Sequence, residues 1–338
     1  MKRVRWIEIC FVTEVSVVLG CGPQGGQVSS APKRRNLGKA DSKRKAVIIA
    51  SLSSRHGKAD LNQARTLLRR RGIEVVESYA NADHRKLCRR VKNAVKAGHR
   101  LIVACGGDGM QTSIVGELAH TDAVLGVIPA GTGNSFARSL GIKLSVADAV
   151  DVIAKGKVAE VDLGVVNGTH FANFATIGLP SEIARRTPRA LKKWTGPLAY
   201  AIAGAGPLLT RMPFACVIKW KRRKLKLETH QVVVANGRFY GDQPLLPQSS
   251  LTDGKLALFT TTGLSAGDKI ATYVDFLRGD QTKRRDAQFF SAKKIRVKTD
   301  KRQPISIDGD YLGKTPAKFS VDRRALKVMV PKRFNEGS

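Results

Sequence analysis

Aliphatic runs and helical patterns alternate along the first half of the chain, and this alternation limits the available folds more than any other feature. Short apolar runs are separated by stretches whose apolar residues recur every three or four positions, as on one face of a helix. The predicted strands are 46–50, 73–77, 101–105 and 124–128, and the predicted helices are 58–71 and 83–97. This order predicts a parallel sheet covered by helices.

The pattern changes after about residue 165, where strand-like segments follow one another with Asn-Gly or Asp-Gly pairs between several of them. These segments are 170–176, 214–220, 231–235, 255–260, 295–297 and 305–307, with a helical region at 181–209. We therefore predict two domains, an α/β domain over 43–164 and a mainly antiparallel β domain over 165–325.

Two loops of small residues follow neighbouring strands of the predicted parallel sheet. Gly106-Gly107-Asp108-Gly109 comes after the strand at 101–105, and the segment 128–134 comes after the next strand. Ligands of such sheets bind beyond the carboxyl ends of strands, where glycines let backbone amides approach phosphates closely. Asp108 could order Mg²⁺ or bind a ribose hydroxyl, or it could simply cap a helix. Together the two loops favour a single phosphate cradle.

Acidic residues are scarce in this chain, so the pair Asp308 and Asp310 near the C-terminus attracts notice. A carboxylate at the end of a strand could accept a proton from a substrate hydroxyl. A solvent-facing Asp-Gly turn is the simpler interpretation of the same residues. The segment 251–255 is likewise a plain hairpin turn when it is taken alone.

The chain carries 59 Lys and Arg against 27 Asp and Glu, a net charge of +32. Such a balance points to polyanionic partners: nucleic acid, an anionic membrane surface or a phosphorylated ligand. Basic runs at 219–226 and 293–298 alternate cations with apolar residues, which would place the cations on one side of a strand. That side is either an ordinary solvated face or a surface for anionic lipid.

The first 42 residues resemble neither a folded domain nor a clear targeting signal. Lys2, Arg3 and Arg5 precede an apolar run as in a signal peptide, but Glu8 and Glu14 interrupt it. We expect a disordered extension, or a translated stretch upstream of the true start. The five cysteines are scattered without a CxxC pair, which suggests neither a disulfide framework nor a zinc site.

In order and spacing, these motifs resemble the diacylglycerol kinase catalytic-domain family, especially the bacterial soluble lipid kinases, and more distantly the sphingosine and ceramide kinases. The resemblance covers about residues 45–330. The GGDGT loop of the family appears at 106–110, its PLGTGNDFAR stretch at 129–138 and its DGE motif at 308–310. Segments 161–164, 173–178, 196–200, 236–241 and 247–254 match further parts of the family pattern.

The resemblance implies an NAD-kinase-like α/β nucleotide-binding domain, to which 326–334 returns, and a C-terminal β-sandwich that holds lipid. It implies an ATP-dependent kinase that transfers the γ-phosphate to a lipid hydroxyl, by default diacylglycerol, giving phosphatidic acid. A sphingoid base or ceramide is the alternative acceptor, and a non-catalytic lipid- or nucleotide-binding homologue is the alternative of another class. An NAD kinase and a nucleic-acid binder fit the second domain and the motifs less well.

The resemblance also assigns roles to residues of this chain. The implied nucleotide contacts are Ser78, Gly106, Gly107, Asp108, Gly109, Met110, Gly131, Thr132 and Asn134. Asp162 and Lys192 would belong to a phosphate and metal network, and Ser250, Asp253 and Lys255 would hold a structural Mg²⁺, the outer two through backbone carbonyls. Asp310 takes the place of the general-base glutamate, with Asp308 orienting it, and its side chain is one methylene shorter. Met110, Ser113 and Ser135 also depart from the family pattern.

The implied cofactors are ATP and Mg²⁺, and the implied partners are a lipid substrate and an anionic membrane surface, not nucleic acid. A homodimer stays open. We expect a cytoplasmic protein that is peripherally associated with the inner face of the membrane.

Overall fold

The computed structural model describes residues 44–53, 57–186, 212–240, 243–244, 246, 249–263 and 265–335. The predicted extension 1–42, Lys192 and most of the helical region expected at 181–209 lie outside the described residues.

The first half is an α/β layer whose strands run parallel in the order β2-β1-β3-β4. These strands are β1 (Arg44–Ser51), β2 (Ile73–Asn81), β3 (Leu101–Gly106) and β4 (Val124–Pro129). The helices are α1 (Gly57–Arg70), α2 (His84–Lys96), α3 (Asp108–Leu118), α4 (Ser135–Ser139) and α5 (Val146–Lys155). The alternation predicted from the sequence is confirmed, including its four strands and two helices.

Apolar spacing and capping explain why these elements form where they do. The helix α2 buries Leu87, Val91 and Ala94 at spacings of three and four, which places them on one face. It begins after Asp83, whose carboxylate accepts a hydrogen bond from the Arg85 N–H at 2.9 Å. Residues 46–50 of β1 are fully buried, as in a parallel strand covered on both faces.

Two long antiparallel strands, β5 (Lys157–Val166) and β18 (Ala317–Val330), connect the α/β layer to the second half. Near its end, β18 runs parallel to β4, with Val328 opposite Leu125. Near its start, β18 pairs with β15 (Lys294–Thr299) instead. The chain thus returns to the first layer through β18, while the domain boundaries expected from the sequence stay predictions.

The second half is a β-sandwich. One sheet continues from β18 through β15 and β8 (Phe214–Trp220) to β9 (Arg223–Thr229), and β6 (Thr169–Phe171) pairs with β5. The other sheet is antiparallel, in the order β14-β13-β10-β7-β16-β17. Its strands are β7 (Phe174–Gly178), β10 (Gln231–Ala235), β13 (Leu256–Thr261), β14 (Ala287–Ala292), β16 (Pro304–Ile307) and β17 (Asp310–Lys314).

The sandwich buries apolar side chains from both sheets against each other, such as Phe171 and Phe319 from one and Ile177 and Val234 from the other. Smaller elements decorate it: α6 (Leu179–Arg186), a short pair β11 (Phe239–Tyr240) and β12 (Gln243–Pro244), and α7 (Ala266–Arg278). The single strand expected at 170–176 is wrong, because β6 and β7 are separated by Ala172 and Asn173. The break is caused by hydrogen bonds from the backbone of this segment to Asp308, a residue of the candidate site.

Candidate active site

The two glycine-rich loops lie against each other at the carboxyl ends of β3 and β4. These strands are adjacent, with Gly106 opposite Pro129, and the Ala130 N–H donates to the Gly106 carbonyl at 3.1 Å. An ideal Cβ on Gly131 would lie 2.5 Å from the Gly107 Cα, closer than real Cβ contacts allow. The close approach therefore requires glycine, and the two loops form one surface of backbone groups.

Asn134 closes the second loop upon itself. Its backbone is left-handed, with φ of 51°, and its amide oxygen accepts from the Gly131 N–H at 2.9 Å. Its amide nitrogen donates to the Gly131 carbonyl at 2.8 Å. The buried side chain of Asn134 thus holds the shape of the loop, and its expected contact with nucleotide stays a prediction.

Asp108 joins the first loop to the second. Its Oδ1 accepts from the Phe136 N–H at 3.0 Å, at the start of α4. Burial raises the pKa of Asp108, and backbone donors of residues 134–136 oppose that rise. The Asp108 side chain therefore caps α4 rather than its own helix: Asp108 is the first residue of α3, whose N-cap is Gly107 without a side-chain hydrogen bond.

The Asp308-Gly309 pair forms the tight turn between β16 and β17. Both residues have positive φ, 44° and 88°, as a type I′ turn requires. The turn directs the Asp308 carboxylate into the gap between β6 and β7. There it accepts from the N–H groups of Ala172 at 3.0 Å and Phe174 at 2.9 Å.

Asp308 also accepts from the Asn173 N–H at 3.2 Å and from the Thr112 hydroxyl on α3. These bonds explain why the strand expected at 170–176 is interrupted, and they tie the sandwich to α3. Burial raises the pKa of Asp308 to about 6, and the nearby negative charge of Asp108 adds to the rise. The carboxylate is almost fully buried, so it is placed to position the turn rather than to meet a substrate.

Asp310 lies on the other side of the turn and faces the first glycine loop. An ideal Cβ on Gly109 would lie 3.0 Å from Asp310 Oδ2 and 3.6 Å from His84 Cε1. The absence of a side chain at Gly109 therefore leaves room for the carboxylate over the first turn of α3. His84, the first residue of α2, is a neighbour that the sequence reasoning missed. Its position beyond the end of β2 was the only available signal.

Three further expected nucleotide contacts, Met110, Thr132 and Ser78, have different surroundings, and their contact with nucleotide stays a prediction. The Met110 side chain is buried in the α/β core, so only its backbone can face a ligand. Thr132 is exposed at the tip of the second loop. Ser78 is exposed on the edge strand β2, opposite Ile48 and three residues before the strand end at Asn81. The register thus places Asn81, and not Ser78, level with the loops.

Asp162 anchors a loop of the sandwich. Its carboxylate accepts from the Gly254 N–H at 2.7 Å and from the Arg324 N–H at 2.8 Å, and it is buried. These bonds connect β5, the turn before β13 and the bulge of β18. Asp162 is thus held by the backbone N–H groups of Gly254 and Arg324. None of its described hydrogen bonds reaches the two glycine loops.

The loop with Ser250, Asp253 and Lys255 has the chemistry of a Mg²⁺ site. Its donors are hydroxyl, carboxylate and carbonyl oxygens, the ligands that Mg²⁺ prefers. Burial raises the pKa of Asp253, and the negative charge of Asp162 adds to it. Among the described residues no group of three or more acidic, histidine or cysteine side chains could hold a metal, so such a site would depend on backbone carbonyls.

The two basic runs lie on neighbouring strands of the sheet that continues from β18 through β15 and β8 to β9, which we call the outer sheet. Arg296 of β15 stands opposite Lys318 of β18 on one side and Lys219 of β8 on the other. Lys219 in turn stands opposite Lys224 of β9. All four side chains are exposed, so one straight row of cations crosses four strands. We call these four residues the cationic row.

Two family models match the chain. The diacylglycerol kinase catalytic domain matches residues 45–166. The YegS C-terminal NAD kinase beta sandwich-like domain matches residues 174–330. The two models together span the α/β layer and the sandwich.

Curated relatives match over most of their length. A diacylglycerol kinase of Bacillus subtilis is 31% identical over 267 residues, which cover 76% of this chain and 88% of the relative. A diacylglycerol kinase of Staphylococcus haemolyticus is 29% identical, covering 80% of this chain and 82% of the relative.

A solved structure of a diacylglycerol kinase from Bacillus anthracis superposes with a TM-score of 0.65 at 20% identity, covering 88% of this chain and 100% of that one. A second structure from that organism gives a TM-score of 0.74 at 23% identity, with coverages of 88% and 99%. At these identities the structures show the shared fold. In the described part of the chain, no helix is both long and apolar enough to cross a bilayer.

Proposed function

We propose, from the premise that this chain belongs to the diacylglycerol kinase family, that it transfers the γ-phosphate of ATP to the hydroxyl of diacylglycerol, giving phosphatidic acid and ADP. Family membership makes it a lipid kinase; the donor and the acceptor are the proposal. The observation that carries it is the position of Asp310, whose Oδ2 lies 3.0 Å from an ideal Cβ on Gly109. A carboxylate that could accept a proton thus lies beside the first glycine loop.

The glycine loops are suited to hold the phosphates of the nucleotide. Gly107 and Gly131 bring two backbone segments together at the ends of β3 and β4, and the helix α3 begins at Asp108. Backbone N–H groups at a helix N-terminus bind phosphate oxygens well. Phosphoryl transfer depends mainly on such positioning and charge neutralisation.

Asp310 would act as the general base. As the lipid oxygen forms its bond to the γ-phosphorus, the bond from that phosphorus to the bridging oxygen of ADP breaks. The hydroxyl proton passes to the Asp310 carboxylate. Asp308 would keep the turn, and with it Asp310, in place through its bonds to Thr112 and to the backbone of residues 172–174.

Mg²⁺, when bound, would neutralise phosphate charge and stabilise the loop that precedes β13. Asp108 lies within the first glycine loop, and its carboxylate also fixes α4 through the Phe136 N–H. Asp253 and Ser250 are the side-chain oxygens available to a structural ion. Asp162 would support that loop through the Gly254 N–H.

The cationic row would place the sandwich against anionic lipid, where the acceptor resides. Lys318, Arg296, Lys219 and Lys224 extend from adjacent strands about 4.8 Å apart. None of these four side chains forms an ion pair with another described residue, so their charges are available to an anionic surface. The cytoplasmic location and the homodimer stay predictions.

The experiment is a phosphate-transfer assay with labelled ATP against diacylglycerol, a sphingoid base and ceramide in mixed micelles. We expect labelled phosphatidic acid and strict dependence on Mg²⁺. If the label appears in the sphingoid base or in ceramide instead, the protein is a lipid kinase with that lipid as its acceptor. Nucleotide binding without transfer to any of the three lipids would contradict the proposal and favour the non-catalytic homologue.

A further inference from the structure

A cavity of about 190 Å³ lies beside α4, where the α/β layer meets the sandwich. Arg138 and Ser139 line it from the end of α4. Arg238, which follows β10, and Ser249, which precedes β13, line it from the sandwich. Among the described residues that line the cavity, two are arginines and none is acidic, and Ser250 and Leu251 of the 250–255 loop also line it.

Buried polar groups without partners are concentrated at this junction. Ser139 Oγ, Ser249 Oγ and the Asn173 side-chain amide are buried, and none has a hydrogen-bond partner among the described residues. An ideal Cβ on Gly237 would lie 2.8 Å from Asn173 Oδ1 and 3.0 Å from Ser139 Oγ, so these two groups are neighbours. Buried polar groups are nearly always hydrogen-bonded in proteins. At this junction a polar ligand could supply the partners that these groups lack.

The donor chemistry of the cavity selects the kind of ligand. Hydroxyl groups can donate, and guanidinium groups carry only donors, so the cavity offers donors and positive charge together. The planar fork of arginine matches the oxygens of phosphate. The Arg138 Nε donates to the Gly133 carbonyl at 3.2 Å, which fixes that guanidinium at the rim of the second glycine loop.

We propose that this cavity binds a phosphate-bearing anion through Arg138, Arg238, Ser139 and Ser249. The anion would be held by residues of both halves of the protein at once. Its binding would therefore stabilise the junction of the two halves. The source of the phosphate is either a free anion or the headgroup of a lipid.

Binding of inorganic phosphate, followed by titration calorimetry and by the rise in Tm, tests the site. Arg238→Gln removes one charge, and Ser249→Ala removes one buried hydroxyl. Arg89→Gln is the matched control, because Arg89 is likewise exposed but lies on α2. We expect Arg238→Gln to weaken phosphate binding at least tenfold. The rise in Tm on adding phosphate should be smaller in this variant than in the wild type. Ser249→Ala should weaken it less, and Arg89→Gln should bind like the wild type.

A parallel arm replaces free phosphate with vesicles of phosphatidylcholine that contain phosphatidic acid. A difference between Arg238→Gln and Arg89→Gln with free phosphate supports a small anion, and a difference only with vesicles supports a lipid headgroup. If Arg238→Gln and Ser249→Ala match the wild type in both arms, the proposal is overturned, and any phosphate bound occupies the glycine loops. Neither readout requires turnover, so the result is independent of kinase activity.

Discussion

At the scale of single residues, the two carboxylates of the β16–β17 turn have different surroundings, which favour different roles. Asp308 is buried and accepts hydrogen bonds from Thr112 and from three consecutive backbone N–H groups. Asp310 is partly exposed and faces Gly109. The sequence indicated that both were candidates for catalysis, but it could not separate them, because their partners lie more than 130 residues away.

Asp308 should make stability depend on pH. Its pKa is raised to about 6 in the folded protein, against about 3.9 for an unfolded aspartate. A raised pKa means that the folded state binds the proton more tightly, so this contribution is present below about pH 4 and is lost as the pH rises through about 6. Urea unfolding of wild type and Asp308→Asn at pH 4.5 and pH 7 measures it.

The stability advantage of wild type over Asp308→Asn should shrink by about 1–3 kcal/mol between the lower and the higher pH. The comparison cancels the other titrating groups, since both proteins share them. An advantage that grows with pH would contradict the assignment, because it would mean that the folded state prefers the ionised carboxylate.

Asp108 should contribute to activity and to stability. Asp108→Ala should lower kcat/KM at least a hundredfold, because electrostatic contributions to phosphoryl transfer are of about that size. It should also cost about 1–2 kcal/mol, since it removes the acceptor for the Phe136 N–H. Asp108→Asn keeps an acceptor and should lose activity with little loss of stability. Wild-type activity in either variant, measured beside thermal melts, would remove Asp108 from the reaction.

At the scale of elements, the sequence predicted the strands and helices whose own residues specify them, through apolar runs, helical spacing and caps. The parallel strands are continuous apolar runs, and α2 has a clear cap and an amphipathic face. The strands β14 and β17 were missed, because mixed sequences such as AQFFSA form strands only through their neighbours. The break between β6 and β7 was also missed, since distant Asp308 takes the N–H groups there. The contact of the two glycine loops followed from adjacent strand ends.

Two glycines of α3 test how closely the turn approaches that helix. Gly109→Ala would place a Cβ 3.0 Å from Asp310 Oδ2, so the carboxylate must shift by a few tenths of an ångström. Because a displacement of about 1 Å can cost 10²-fold, we expect kcat to fall by about tenfold. Gly116→Ala meets His170 Nδ1 at an ordinary 3.6 Å and should leave kcat unchanged. Equal kcat values in these two variants would argue against the position of Asp310.

At the scale of the whole molecule, the paired strands β5 and β18 connect the α/β layer to the sandwich. The candidate site lies where the layer and the sandwich meet. The sequence order already predicted two halves of different class. Register across the outer sheet was not available from sequence, so the alignment of the two basic runs into the cationic row emerged only from the fold. The same register places Ser78 three residues before the end of β2, and its contact with nucleotide stays a prediction.

Vesicle binding should require anionic lipid and should weaken as salt is added, because exposed charges are screened within about 8 Å at physiological ionic strength. The double variant Lys219→Gln/Arg296→Gln should bind about tenfold to thirtyfold more weakly, at roughly 1 kcal/mol for each cation. The control Arg69→Gln/Arg70→Gln removes the same charge from exposed positions on α1. Sedimentation with vesicles measures both. Equal weakening in the two double variants would mean that net charge, and not the cationic row, directs binding.

The most direct test of the central claim is the rate of phosphate transfer from labelled ATP to diacylglycerol by wild type and Asp310→Asn, with the ATP Kd measured on the same preparations. Asparagine keeps the shape of the side chain but cannot take the proton. We predict that kcat falls by about 10²–10⁴, with ATP affinity and Tm nearly unchanged. An Asp310→Asn variant that turns over at the wild-type rate would contradict the account.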